Sequence, residues 1–204
     1  MPYFNYPLRL RFKLIALSPQ IIVTDAAGQQ IAYVHQKVWN IREDIRIFSD
    51  ESRSREVFRI SADRVFDFNT KYHFFNSANN QPIGYVQPAG LRSIWRATYR
   101  VHDEGGAVSH HIKEDNAFIK ILDALVSEIP FVNLFTGYFL NPAYTVFAGP
   151  DIEDTSRPVM HLKKEPAFWE GVFTIDMLNQ MSEIEEMRSL LAMMLMIQFM
   201  RRRG

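Results

Sequence analysis

Arg9, Arg11 and Lys13 occupy every second position of a stretch whose other members, Leu8, Leu10, Phe12 and Leu14, are all apolar. Strict alternation is the signature of a half-buried strand, and it points the three cations the same way at intervals of about 7 Å. A row spaced like this suits successive phosphates or anionic head groups, which accept charge-assisted hydrogen bonds from guanidinium and ammonium groups. The same pattern is also how one face of an antiparallel sheet meets water. Arg92, Arg96 and Arg100 form a second basic set around Trp95. Arg96 and Arg100 would share a strand face, where cross-strand pairing with Asp or Glu is the expected use.

Other residues with chemical capacity are less well placed. His110 and His111 are adjacent, so on a strand they face opposite ways and cannot hold one metal together. Asp151, Glu153 and Asp154 resemble the opening of a calcium loop, but no closing glutamate follows, and they read as a solvated acidic turn. The run Asp103-Glu104-Gly105-Gly106 has hairpin-turn composition. There is no Gly-x-Ser-x-Gly elbow and no glycine-rich phosphate loop. With no cysteine, thiolate catalysis, disulfides and cysteine zinc sites are excluded. No catalytic residue, metal or cofactor is expected. A hydrolase would need a deep surface cleft in which histidine and carboxylate converge.

The 204 residues, 47% of them hydrophobic, can bury a substantial core within a single domain spanning 1–204. Lys plus Arg balances Asp plus Glu at 23 each, so no global field points to nucleic acid. The first residues lack the basic start and apolar segment of a secretory signal. The expected location is cytoplasmic, peripheral to a membrane if a lipid is bound.

Along the chain, Leu8 to Leu14 is followed by a repeated unit in which a strand ends in a polar turn and a second apolar strand returns. Ile21 to Thr24 turns into Ile31 to His35, Ile45 to Phe48 into Val57 to Ile60, and Tyr72 to Phe75 into Ile83 to Val86. Thr98 to Val101 then turns into Val108 to Ile112, Tyr144 to Phe147 into Val159 to Leu162, and a last strand covers about Phe168 to Ile175. The first four turns recur about every 26 residues and the fifth falls roughly two periods later. Asn116 to Glu128 has helical spacing and reads as a short amphipathic helix, ended by Pro130. Phe131 to Leu140 is apolar and aromatic; if exposed, Phe131, Phe135, Tyr138 and Phe139 would mark an interface with a protein or a membrane.

The end of the chain organises the rest. Leu190, Leu191, Met193 to Ile197, Phe199 and Met200 leave no polar side, and a helix apolar all round must be enclosed on every side. Ser182 and Glu185 form a capping box at its start, Glu183 and Glu186 suit the positive end of its dipole, and Arg201 to Arg203 suit the other. The uncharged run Ser189 to Met200 covers about 18 Å against a bilayer core of roughly 30 Å, so no transmembrane segment is expected. The pattern predicts a mainly β fold. About twelve antiparallel strands close into a barrel too wide for its own side chains to fill, and the C-terminal helix threads it. A plugged barrel leaves no interior pocket.

The hairpin beginning Ile22-Val23-Thr24-Asp25 with Gly28, the run Gln81-Pro82-Ile83-Gly84-Tyr85-Val86, the Trp95-to-Val101 strand and the terminal apolar helix together resemble the tubby C-terminal-like superfamily. Within it the chain is most similar to the LURP-one-related proteins, and phospholipid scramblases are further members. The resemblance covers about Leu8 to Arg203 and implies a twelve-stranded barrel around its C-terminal helix. Roles among relatives range from phosphoinositide binding to lipid movement to plant defence. The proline-rich leader and cysteine cluster of scramblases are missing here. The expected function is non-enzymatic: binding of phospholipid or phosphoinositide head groups through Arg9, Arg11 and Lys13, or alternatively protein interaction or self-association through the 131–140 segment.

Overall fold

The computed structural model describes residues 2–12, 20–36, 44–64, 70–89, 98–115, 143–165 and 171–203, side chains of 36 and 199–203 excepted. Twelve strands and one helix lie within them: β1 (Leu8–Phe12), β2 (Gln20–Thr24), β3 (Gln30–Gln36), β4 (Asp44–Phe48), β5 (Glu56–Ala62), β6 (Tyr72–Asn76), β7 (Gln81–Pro88), β8 (Thr98–His102), β9 (Val108–Glu114), β10 (Ala143–Ala148), β11 (Pro158–Lys164), β12 (Val172–Met177) and α1 (Glu183–Arg203). Each strand pairs antiparallel with its sequence neighbours, and β1 pairs with β12 to close the barrel. Closure removes every sheet edge. The expected helix at Asn116 to Glu128 and the Phe131 to Leu140 passage lie outside the described residues.

The repeat seen in the sequence is repeated in atomic detail. Asp25 and Asp103 begin turns of identical wiring: the Asp amide donates to the carbonyl four residues on (Gln29 at 2.9 Å, Ala107 at 2.9 Å), and that residue's amide donates back to the Asp Oδ1. Gly28 and Gly106 take φ of +80° and +86° in these turns, a region that only glycine enters without strain. All five hairpins also shift register just before the turn, at Val23/Thr24, Ile47/Phe48, Phe74/Phe75, Val101/His102 and Val146/Phe147. A bulge sharpens local twist and bends its strand, which is what closing a sheet into a barrel requires.

Because consecutive strands are neighbours, the five hairpin turns and the β12–α1 connection all lie at one end of the barrel, where α1 also begins. Ser182 caps the helix: its amide donates to Glu185 Oε2 at 3.0 Å, its hydroxyl donates to the same oxygen at 2.6 Å, and its carbonyl accepts from the Glu186 amide at 2.9 Å. From Leu190 to Ile197 no residue is more than 2% exposed. These side chains form one core cluster with the inward residues of the strands, among them Leu8, Leu10, Val23, Ile45, Phe74, Val101, Val146 and Ile175. The helix is enclosed on every side, as its sequence requires.

One feature departs from what the sequence of α1 predicts. It is not apolar throughout its buried length, since Glu186, Arg188, Ser189 and Gln198 are buried with it. Gly84 on β7 explains how Arg188 fits. A Cβ on Gly84, at φ +136°, would lie 2.8 Å from Arg188 Cδ and 2.3 Å from the His102 carbonyl. Only a residue without a side chain leaves room there for the guanidinium stem.

Candidate binding surfaces

β1 buries Leu8, Leu10 and Phe12 and exposes Arg9 and Arg11, so the alternation read from sequence sets the orientation of both cations. Their neighbours in register are uncharged on both sides: Thr24 and Thr174 flank Arg9, and Ile22 and Val172 flank Arg11. Lys13 lies outside the described residues. One strand further, Lys163 sits opposite Thr174 and is shared between Glu165 at 3.8 Å and Asp176 at 3.7 Å.

On the outer face of β4 to β7 three cations lie against carboxylates or aromatic rings. Arg46 is held by Asp44 at 3.4 Å and Glu56 at 3.3 Å. Arg59 lies over the Phe75 ring at 4.9 Å, and Lys71 over the Tyr85 ring at 5.0 Å. Tyr85 in turn stacks on His102 with centroids 4.3 Å apart. Cations seated on aromatic faces are already engaged in a favourable interaction. This layer went unread in the sequence, although outward aromatics at alternate positions, His73 and Phe75 beside Tyr85, are its signal. Arg100, expected to pair with a carboxylate, instead stands opposite Gln87 and His111, because the register brings no Asp or Glu beside it. Arg92 and Arg96 lie outside the described residues, as do Phe131, Phe135, Tyr138 and Phe139.

A polar set surrounds the start of α1. Glu186, 1% exposed, accepts hydrogen bonds from the Tyr3 amide at 2.8 Å and the Phe4 amide at 3.2 Å, tying the first residues of the chain to its last helix. Burial first, then the Glu186 charge, pushes the Tyr6 phenol well above its ordinary range. Arg188 reaches Ser109 Oγ at 3.5 Å and Glu104 at 3.7 Å. Ser109 is also in contact with His110 Nδ1 at 3.0 Å. Beside this set, a cavity of about 390 Å³ opens between the first turns of α1 and β5 to β7, lined by Phe58, Asn76, Ile83, Ser182, Glu183, Ile184 and Met187. The plugged barrel is expected to hold no interior pocket, and this hollow lies at its end. The helix fills the interior, but it leaves a hollow where its first turn emerges.

His110 and His111 face opposite ways, as their adjacency requires. His110 lies opposite Val101, which is buried in the barrel. His111 stacks on Phe147 with centroids 5.3 Å apart and meets the Gly149 carbonyl at 3.1 Å through Nδ1. Burial is the largest cause acting on both, and it holds their pKa values below the usual 6.5. As pH falls through 6.5 the unfolded chain takes up protons before the folded one, so stability present above that pH is progressively lost below it. The thermal midpoint is expected to drop between about pH 7 and pH 5, and the double variant His110→Gln/His111→Gln to show a shallower decline over the same interval. Thermal melts of the two proteins at stepped pH measure it.

On the outer surface Asp115 accepts from Thr145 Oγ1 at 2.8 Å and lies 3.0 Å from His161 Nε2, while the cavity at the helix start has a carboxylate but no histidine. Among the described residues no three His, Cys, Asp or Glu side chains gather as metal ligands. Asp151 and Asp154 accept from the amides of Glu153 and Ser156, each at 3.0 Å, which folds the acidic turn on itself. No helix among the described residues is long and apolar enough to cross a membrane.

The family model for LURP-one-related proteins matches residues 30–183, which runs from the start of β3 to the first residue of α1. β1, β2 and the body of the helix lie beyond that match, yet β1 is the strand that closes the barrel and α1 is its core. No curated protein and no solved structure matches the chain. With three quarters of the sequence matched, and a barrel threaded by its C-terminal helix as the resemblance implies, the chain belongs to the LURP-one-related family.

Proposed function

We propose that this protein is a binding domain without chemistry of its own, and that it contacts anionic phospholipid or phosphoinositide head groups through the outer face of β1, with Arg9, Arg11 and Lys13 as the contact residues. Membership of the family fits a binding domain. The single observation that favours β1 is its alternation, which buries Leu8, Leu10 and Phe12 and turns Arg9 and Arg11 outward side by side on one exposed face. Contact would be peripheral, and each basic residue near an anionic surface contributes about 1 kcal/mol.

Co-sedimentation with vesicles tests this. The protein is expected to pellet with phosphatidylcholine vesicles containing phosphatidylserine or a phosphoinositide and not with phosphatidylcholine alone. The variant Arg9→Ala/Arg11→Ala should bind roughly thirtyfold more weakly, the equivalent of two such contacts. Equal binding to neutral and anionic vesicles, or a variant that binds like the parent, would rule the reading out.

A further inference from the structure

Three large apolar side chains are markedly exposed among the described residues, Tyr3 at 57%, Leu178 at 48% and Ile184 at 40%, and all three belong to the end of the barrel where α1 begins. Ile184 is also part of the lining of the 390 Å³ cavity, with Phe58, Ile83 and Met187 as its other apolar members. Tyr3 and Leu178 leave β1 and β12, across the barrel mouth from the cavity, so Ile184 is the exposed apolar side chain on its wall, and a largely apolar hollow with such a wall is the form of a docking site for a protein segment. Its electrostatics narrow the occupant. The six turns of this end and the first turn of α1 carry eleven carboxylates against three arginines, Arg53, Arg55 and Arg157, in a chain whose total charges balance. Glu183 lines the cavity, and no ion pair among the described residues engages it.

From these observations we infer a second binding site, separate from the β1 face, in which the cavity receives an apolar side chain from a partner protein segment while a neighbouring Lys or Arg of that segment meets Glu183. Potentials of opposite sign steer such a segment to this end and fix its orientation. The same acidic field repels an anionic membrane, so the occupant is a basic, apolar stretch of polypeptide. The carboxylates of Glu185 and Glu186 are committed to the Ser182 cap and to the Tyr3 and Phe4 amides, which leaves Glu183 for the ligand.

Methyl NMR of the full chain with synthetic peptides tests the site. A soluble peptide of alternating Leu and Lys is expected to shift the Ile83, Ile184 and Met187 methyl signals in a saturable way. Peptides of Leu and Glu, or of Ser and Lys, should leave them in place. Ile184→Ser, at an exposed position, should keep the parent's unfolding midpoint and weaken binding of the Leu and Lys peptide at least about fivefold, as should Glu183→Gln. Arg9→Ala/Arg11→Ala should bind that peptide like the parent, so this result and the vesicle result stand apart. Shifts produced equally by the Leu and Glu peptide, shifts that survive in both cavity variants, or shifts that follow the protein's own concentration instead of the peptide's would overturn the inference.

Discussion

Met194→Asp is expected to leave no measurable folded population at 25 °C. Met194 is 2% exposed at the middle of the enclosed run, and no cation is buried within one helical turn of it. The substitution removes a packed side chain, a loss of about 2–5 kcal/mol, and puts a carboxylate where neither water nor a partner can reach it, which adds several more. Together these come to the same size as the roughly 5–15 kcal/mol that holds a domain of ordinary stability folded. Met194→Leu nearly conserves the volume and should cost under about 1.5 kcal/mol. Far-ultraviolet circular dichroism with a thermal scan distinguishes them: the Leu variant melts cooperatively near the parent and the Asp variant shows no transition. A cooperative melt of the Asp variant at the parent's temperature would mean that the helix is not enclosed.

Removing Ser189 to Arg203 should abolish folding altogether. The ten residues from Ser189 to Gln198 would vacate a cylinder on the order of 1,000 Å³. At about 24 cal/mol per Å³ of unrelaxed cavity this comes to roughly 25 kcal/mol, more than the whole net stability of a typical domain. Twelve strands paired in a ring cannot collapse onto such a void without giving up their ladder hydrogen bonds. The truncated chain is therefore expected in inclusion bodies or as an uncooperative, dye-binding species. Recovery of a soluble truncation with a sharp melting transition would show that the sheet has a core of its own.

How much of this was legible in the sequence follows from the range of the interactions involved. Strands such as β1 and β4 alternate so cleanly that their inward residues, Leu8 and Leu10 or Ile45 and Ile47, could be named from spacing alone. The identical turns at Asp25 and Asp103 were readable for the same reason, since Asp and Gly act locally. Enclosure of α1 followed from its all-apolar run, and closure followed from the need to wrap it. The polar set at the start of α1 was not readable. Glu186 looked like a dipole partner, whereas its ligands are amides 183 and 182 residues away. The burial of Arg188 depends on the missing side chain of Gly84, a contact across two elements that no local pattern encodes. Arg100 shows the limit most plainly: its face could be read from alternation, but its neighbours depend on register, and register placed Gln87 and His111 beside it.

The resulting molecule has an electrical direction. Its turn end, around the Glu183 cavity, is acidic, while Arg9 and Arg11 lie on the barrel wall and Arg201 to Arg203 complete the far end of α1. A barrel presented to an anionic surface by its wall would hold its acidic end to the side, facing along that surface and not into it.

Amide hydrogen exchange along α1 tests the central claim most directly. A helix wrapped by a closed barrel can exchange only when the barrel opens, so the amides of Leu190 to Ile197 should exchange as slowly as those of β1 and β12 and slow further in step with global stability. Exchange in that segment orders of magnitude faster than in those strands, under conditions where the sheet stays protected, would show a helix lying outside the barrel and would contradict the architecture on which both binding surfaces rest.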